Sequence, residues 1–257
     1  MGRLEGKVAI VTGGAQGMGA ATARVMAAEG ARVVVADVAD GQGRALVADI
    51  GDTASYMRLD VTSETDWRDV VAATMREYGT VDVLVNNAGI QYFAGVEDVE
   101  PDRIATILAV NVMGPMIGVK TVAPIMKNAG SGVVVNISSV DGLRGVNGLS
   151  SYVASKWAIR GVTKAQALEL GPTIRVCSVH PGGVDTQLGN PAGETGAELQ
   201  RHYRNVPLGR IGLPDEIARV TAFVASDEAS YMTGAEIAVD GGWASGIYHA
   251  GLPGAPV

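Results

Sequence analysis

Val8-Ala9-Ile10-Val11 runs directly into Thr12-Gly13-Gly14-Ala15-Gln16-Gly17-Met18-Gly19 and then into an alanine-rich segment that continues to Glu29. A short β-branched run, a glycine cluster and a helix-forming stretch read as strand, tight turn and helix. At such a junction a parallel sheet points backbone N–H groups at an anion, and glycines let the chain turn sharply and approach a phosphate closely. The spacing is G-x-x-x-G-x-G rather than the commoner G-x-G-x-x-G, so the cluster needs support from the rest of the chain.

Asp37 supplies it. It ends the next apolar run, Arg32–Ala36, twenty residues beyond Gly17. There a carboxylate can accept hydrogen bonds from the ribose hydroxyls of a bound dinucleotide. The same charge opposes a 2′-phosphate, and neither Gln16 nor Val38 offers a cation to offset it, so the expected cofactor is NAD rather than NADP. Gly13, Gln16, Gly17, Met18, Gly19 and Asp37 form the first part of the expected cofactor site.

Outward from this unit the alternation repeats. Further strands are expected at Ser55–Leu59, Val81–Val85, Val133–Ile137, Ile174–Val179 and Ala235–Val239, with helices at Gly41–Ile50, Asp66–Tyr78, Pro101–Lys127, Tyr152–Leu170 and Asp215–Ala225. This is an α/β pattern: one doubly wound Rossmann-type domain filling residues 1–257, a seven-stranded parallel sheet with helices on both faces. No repeat or composition shift marks a second domain. The glycine- and proline-rich stretch Thr186–Arg210 follows a strand late in the chain and is expected to be a substrate lid. The tail from Tyr248 to Val257 either frays or docks on a neighbouring subunit.

Composition narrows the partners. The chain is 47% hydrophobic and 18% charged with net charge −7, which argues against nucleic acid. No uninterrupted apolar run reaches membrane-span length and Met1–Lys7 is not a secretory leader, so a soluble, cytoplasmic protein with no membrane partner is expected. The single Cys177 lies in an apolar strand. His180, His202 and His249 are too scattered for a metal cluster and are expected to be structural.

Tyr152-Val153-Ala154-Ser155-Lys156 opens a helix, and i,i+4 spacing puts phenol and ammonium on one face. A neighbouring ammonium and an oxidised nicotinamide both favour phenolate, so Tyr152 is expected to have a lowered pKa and to act as acid/base in hydride transfer between NAD and a carbonyl or secondary alcohol. Pro115, four residues after Asn111, has no N–H for the Asn111 carbonyl, which leaves that carbonyl free for water. Asp141, two residues after Ser139, reads either as facing the substrate mouth or as a solvated loop carboxylate.

Taken together, Thr12–Gly19, Asp60, Asn86-Asn87-Ala88-Gly89, Asn111, Asn136-Ile137-Ser138-Ser139, Tyr152–Lys156 and Pro181-Gly182 resemble the ordered motifs of the short-chain dehydrogenase/reductase family over essentially the whole chain. Ser150-Ser151-Tyr152 and Asp240-Gly241-Gly242-Trp243 are similar to its bacterial 3α/20β-hydroxysteroid dehydrogenase branch. The resemblance implies that Ser139 hydrogen-bonds the substrate oxygen, Tyr152 exchanges the proton, Lys156 holds the nicotinamide ribose and Asn111 anchors a relay water. It implies that Asp60 and Val61 meet the adenine, that Asn87, Ala88 and Gly89 line the cleft, and that Pro181, Gly182, Val184 and Thr186 cover the nicotinamide. It also implies a homo-oligomer, a tetramer, pairing helices such as Pro101–Lys127 and Tyr152–Leu170.

The expected activity is therefore an NAD-dependent alcohol dehydrogenase or ketone reductase for hydroxysteroids or other alicyclic alcohols. One rival is a 3-oxoacyl thioester reductase of fatty-acid synthesis, and another is a non-catalytic NAD sensor. Selectivity is assigned to Gln91–Gly95, Asp141–Leu149 and Thr186–Arg210.

Overall fold

The computed structural model describes residues 2–247, 249, 252 and 253. Seven parallel strands form one sheet: β1 (Val8–Thr12), β2 (Arg32–Asp37), β3 (Ala54–Arg58), β4 (Val83–Asn86), β5 (Gly132–Ile137), β6 (Ile174–Pro181) and β7 (Glu236–Val239). Their order is β3-β2-β1-β4-β5-β6-β7. The direction of winding reverses between β1 and β4, and such a switch point opens a crevice at the strands' carboxyl ends.

The central strands are apolar along their length because both faces are covered. In β2 the side chains alternate: Val33 and Val35 join one core with Met26, Leu46 and Ile217, whereas Val34 and Ala36 join the other with Trp67, Leu84, Met126 and Ile174. The first core lies under α1 (Gly17–Ala28), α2 (Asp40–Ile50) and α8 (Pro214–Ala225). The second lies under α3 (Glu64–Tyr78), α5 (Gly114–Ala129) and α6 (Ser150–Leu170).

Some boundaries differ from expectation for local reasons. β4 starts at Val83 rather than Val81, and the Asp82 carboxylate instead accepts the Val8 N–H at 2.8 Å. α3 starts two residues early because Ser63 caps it, accepting from the Asp66 N–H at 3.1 Å. The expected Pro101–Lys127 helix is α4 (Pro101–Leu108), a π-helical turn at Ala109–Met113, and α5. With no N–H on Pro115, the helix widens and Gly114 N–H bonds the Ala109 carbonyl five residues back.

This continuous helical run, Pro101–Ala129, has 29 residues and a mean hydropathy of 1.5 in its most apolar window. By length and composition alone it meets the requirement for a membrane span, although Val119, Val122 and Met126 pack it onto the sheet. The expected lid is not wholly irregular, since it contains α7 (Gly196–Tyr203). Most of the expected tail, 248–257, lies outside the described residues.

Candidate active site

The crevice at the sheet's switch point is a cleft of about 650 Å³. Gly13, Gln16, Gly17, Met18, Asp37, Asp60, Val61, Asn87, Ala88, Gly89 and Thr186 line it, joined by Asp185, Gln187 and Leu188 around the start of the expected lid and by Val38, Leu59, Ile90 and Val110, which sequence reasoning missed. Those additions are backbone neighbours or single apolar residues and carry no periodicity that would single them out.

Two glycines explain the cleft's narrow floor. Gly13 has φ +59°, and a methyl group there would come within 2.8 Å of the Ala88 backbone. Gly19 does not line the cleft: its Cβ would sit 2.0 Å from the Gly13 carbonyl oxygen, so its role is close packing of α1 against the loop. No side chain caps α1, which leaves its first-turn N–H groups to an anion.

The loop is tied from both sides. Thr12 Oγ1 accepts from the N–H groups of Asn87 and Ala88 at 3.0 and 3.1 Å, and Asn87 Nδ2 donates to the carbonyls of Thr12 and Gly13. Asp37 is 9% exposed and accepts the Ala15 N–H on Oδ2 and the Ala39 N–H on Oδ1, both at 3.0 Å. Arg58, which sequence reasoning overlooked, donates to the Val38 carbonyl at 2.8 Å and lies 3.5 Å from Asp40. Asp60 Oδ1 accepts from the Thr62 N–H and hydroxyl, and the Val61 carbonyl accepts from Trp67.

Beyond the inner end of the cleft stand Tyr152 and Lys156, both buried on α6, and Ser139, buried just after β5. Lys156 Nζ lies 5.5 Å from the Tyr152 ring centre and donates to the Ile137 carbonyl at 3.0 Å. A methyl on Gly89 would be 3.5 Å from both Lys156 Nζ and Asn111 Oδ1, so these groups abut the cleft wall. Ser139 Oγ accepts from the Asp141 N–H at 3.0 Å.

Burial acts against the expected lowering of Tyr152. Burial pushes the Tyr152 phenol up to about 12; the Ser139 hydroxyl pulls it down and the Asp141 charge raises it further. Lys156 does not reverse this, because burial also weakens its ammonium and brings it down to about 8. Asp141 is itself raised by burial, with Arg144 acting against the rise at 3.5 Å.

Asn111 sits in the π turn, where Oδ1 accepts the Ile90 N–H and Nδ2 donates to the Ile90 carbonyl, each at 2.9 Å, and to Ser155 Oγ at 3.0 Å. Its side chain is thereby committed to shaping the cleft wall. Pro181 and Gly182 end β6 outside the cleft lining, with Gly182 N–H bonded to Val239 and its backbone against Asp240. Val184 is buried and paired with Gly212. The three stretches assigned to selectivity do meet: Ala94 N–H bonds the Gly148 carbonyl at 2.9 Å, and Gln91 Nε2 donates to the Leu188 carbonyl at 2.7 Å.

Known proteins show the same plan. Residues 13–244 match a family profile described as Enoyl-(Acyl carrier protein) reductase. A 3-alpha-(or 20-beta)-hydroxysteroid dehydrogenase of Mycobacterium tuberculosis is 45% identical over 96% of this chain and 93% of its own. A trans-4-hydroxycyclohexanecarboxylate dehydrogenase of Sinomonas cyclohexanicum is 43% identical over 95% of each. A 3-ketoacyl-(acyl-carrier-protein) reductase from Brucella melitensis, solved with NADH, superposes with a TM-score of 0.87 at 36% identity, covering 94% of this chain and 99% of that one. With a glycine-floored crevice opening onto a buried serine, tyrosine and lysine, and with relatives matching nearly end to end, the chain belongs to the short-chain dehydrogenase/reductase family and is an oxidoreductase of alcohols and ketones.

Proposed function

We propose that the protein is an NAD-dependent dehydrogenase of alicyclic secondary alcohols, hydroxysteroids included, with Ser139, Tyr152, Lys156 and Asn111 as its catalytic set. The observation that carries this reading is the placement of buried Ser139, Tyr152 and Lys156 beside a cleft whose far end holds the Asp37 carboxylate. The cleft fits a dinucleotide: Gly13 and Gly17, both at positive φ and close against Ala88 and Thr186, make a tight turn free of side chains, the α1 amides suit a pyrophosphate, and Asp37 retains lone pairs for ribose hydroxyls. Asp60 and Val61 would flank the adenine, and Pro181, Gly182, Val184 and Thr186 would lie over the nicotinamide. Bound NAD would supply a two-electron acceptor and, when oxidised, a positive charge.

In alcohol oxidation the Tyr152 oxygen takes the hydroxyl proton. The Ser139 hydroxyl, its lone pair held by the Asp141 N–H, directs its own proton to the substrate oxygen. Lys156, anchored on the Ile137 carbonyl, keeps further N–H groups for the ribose and the phenolate. The Asn111 carbonyl, which Pro115 cannot engage, would hold a relay water. The lid, 186–210, would exclude bulk water.

Asp37 supports NAD over NADP, and the named activities of the 45% and 43% identical relatives support ring-bearing alcohols. Met113, Met116, Trp157 and Leu168, exposed on the α4–α5 and α6 helices, support a homo-oligomer built on those helices. A cytoplasmic location without membrane or nucleic-acid partners completes the reading. The reductase solved with NADH favours 3-oxoacyl thioester reduction as the second reading.

Absorbance at 340 nm, followed with steroids, alicyclic and linear alcohols and 3-oxoacyl thioesters, each with NAD and NADP, separates the two. Turnover of ring alcohols with NAD supports the first reading, and thioester reduction as the dominant activity sinks it. Tyr152→Phe should lower turnover by about 10²- to 10⁴-fold while leaving NADH binding intact. Unchanged turnover would revive a sensor role.

A further inference from the structure

We propose that His180, which does not line the cofactor cleft, is a positioning residue: its imidazole ties the catalytic Ser139 to β6 at the point where the backbone ladder stops.

The β5–β6 register ends at Ile137 opposite Val179, and the last backbone bond runs from Ser138 N–H to the Val179 carbonyl at 2.8 Å. In a parallel ladder the next donor on β6 would be the N–H of residue 181, and Pro181 has none. The ladder therefore stops at the Ser138 carbonyl, and Ser139, whose own carbonyl accepts the Gly142 N–H at 2.9 Å, leaves the sheet. The side chain of the residue before that proline takes over. His180 Nδ1 lies 3.0 Å from the Ser139 carbonyl oxygen and Nε2 lies 2.9 Å from Ser178 Oγ.

A carbonyl only accepts, so the ring proton belongs on Nδ1, and Nε2 is left to accept from the Ser178 hydroxyl. The ring is completely buried, and burial lowers its proton affinity, which keeps it neutral and this tautomer defined. Ser139 is then held at three points, its carbonyl by both His180 and the Gly142 N–H at 2.9 Å, and its Oγ by the Asp141 N–H. Its hydroxyl proton remains for the substrate oxygen. Because His180 is followed directly by Pro181 and Gly182, the same imidazole sets the serine's position relative to the strand end that would cover the nicotinamide.

This inference rests on the dehydrogenase reading for its kinetic consequence but not for its geometry. Two substitutions separate positioning from core filling. In His180→Asn the side-chain amide nitrogen can fall where Nδ1 stood and donate to Ser139. In His180→Gln the amide group reaches the Nε2 position, and Ser139 keeps only the Gly142 N–H on its carbonyl and loses its tie to β6. With cyclohexanol and NAD, we expect H180Q to lower kcat about tenfold or more, as a small misplacement of a reacting group does, and H180N to stay within about threefold of the parent. KM for NAD should stay within about twofold in both.

In the unmodified enzyme, ¹⁵N spectra of the imidazole should show His180 neutral and protonated on Nδ1, a result that needs neither a variant nor a substrate. Equal kcat in the two variants overturns the proposal, as does a ring protonated on Nε2. An unmodified enzyme inactive on every alcohol tested would instead sink the dehydrogenase reading and leave the tautomer result standing.

Discussion

Replacing Asp37 with alanine tests the cofactor assignment most directly. The carboxylate is 9% exposed, with one oxygen on the Ala15 N–H and the other on the Ala39 N–H. Its loss loosens the glycine loop for either cofactor, so absolute affinities are ambiguous and the ratio between cofactors is the informative quantity. A hydrogen bond from a ribose hydroxyl to a charged acceptor contributes about 1.5–3 kcal/mol, so NADH should bind about ten- to a hundredfold more weakly. For NADPH the same carboxylate acts the other way. Unit charges 4 Å apart repel by about 4 kcal/mol at an effective dielectric of ~20, and solvent at the cleft mouth reduces that figure. Removing Asp37 relieves this repulsion while the loosened loop offsets part of the gain, so NADPH binding should hold steady or improve. The NADPH-to-NADH ratio of dissociation constants should therefore fall by about a hundredfold, measured by titration calorimetry with both cofactors at one ionic strength. If the parent protein binds NADPH as tightly as NADH, or if D37A weakens both equally, Asp37 is only a loop anchor and the reasoning fails.

Other parts of the structure make equally definite predictions. The Asp141 charge raises Tyr152, so Asp141→Asn should move the acid limb of the kcat profile for alcohol oxidation to lower pH; a limb that stays put or moves up contradicts the electrostatic account. Glu236 is held down to about 2, chiefly by Arg160 at 2.7 Å with Lys164 at 2.9 Å. A depressed carboxylate stabilises the fold above its unfolded value of 4.5 and loses that contribution as pH falls toward 2, so the Tm gap between parent and Glu236→Gln should be constant above about pH 5.5 and shrink below 4.5. Gly118 faces the fully buried Trp67 ring, which a Cβ would approach to 2.6 Å. Gly118→Ala should therefore destabilise by about 1–3 kcal/mol through overpacking, read as a lower midpoint in urea.

The candidate site was legible where its chemistry lies close along the chain. Tyr152 and Lys156 share a helix face by their four-residue spacing, the glycine cluster announces its turn by composition, and Asp37 follows at a fixed distance. Pro115 signalled a disturbed helix, though not that the disturbance would be a π turn. Residues whose roles depend on a distant partner were not legible. His180 read as a structural histidine because nothing local to it mentions Ser139, forty-one residues away. Ile90 carries no sequence signal, yet its backbone is clasped by Asn111.

By itself, then, the sequence determined the alternation of strands and helices, the glycine-rich turn, the acidic end of β2 and the pairing of tyrosine with lysine. All of these rest on side-chain periodicity and backbone freedom within a few residues, which pattern encodes directly. The tertiary structure alone decided that β4 lies beside β1, so that Asn87 and Thr12 close the glycine loop, and that three separate loops meet over the cleft. It also decided how deeply Tyr152 and Lys156 are buried. The expected lowering of the tyrosine rests on the lysine together with an oxidised nicotinamide, and burial acts against it, pushing Tyr152 up to about 12 and Lys156 down to about 8. Proton affinity depends on how much water surrounds a group, and that is fixed only when the rest of the chain has packed around it.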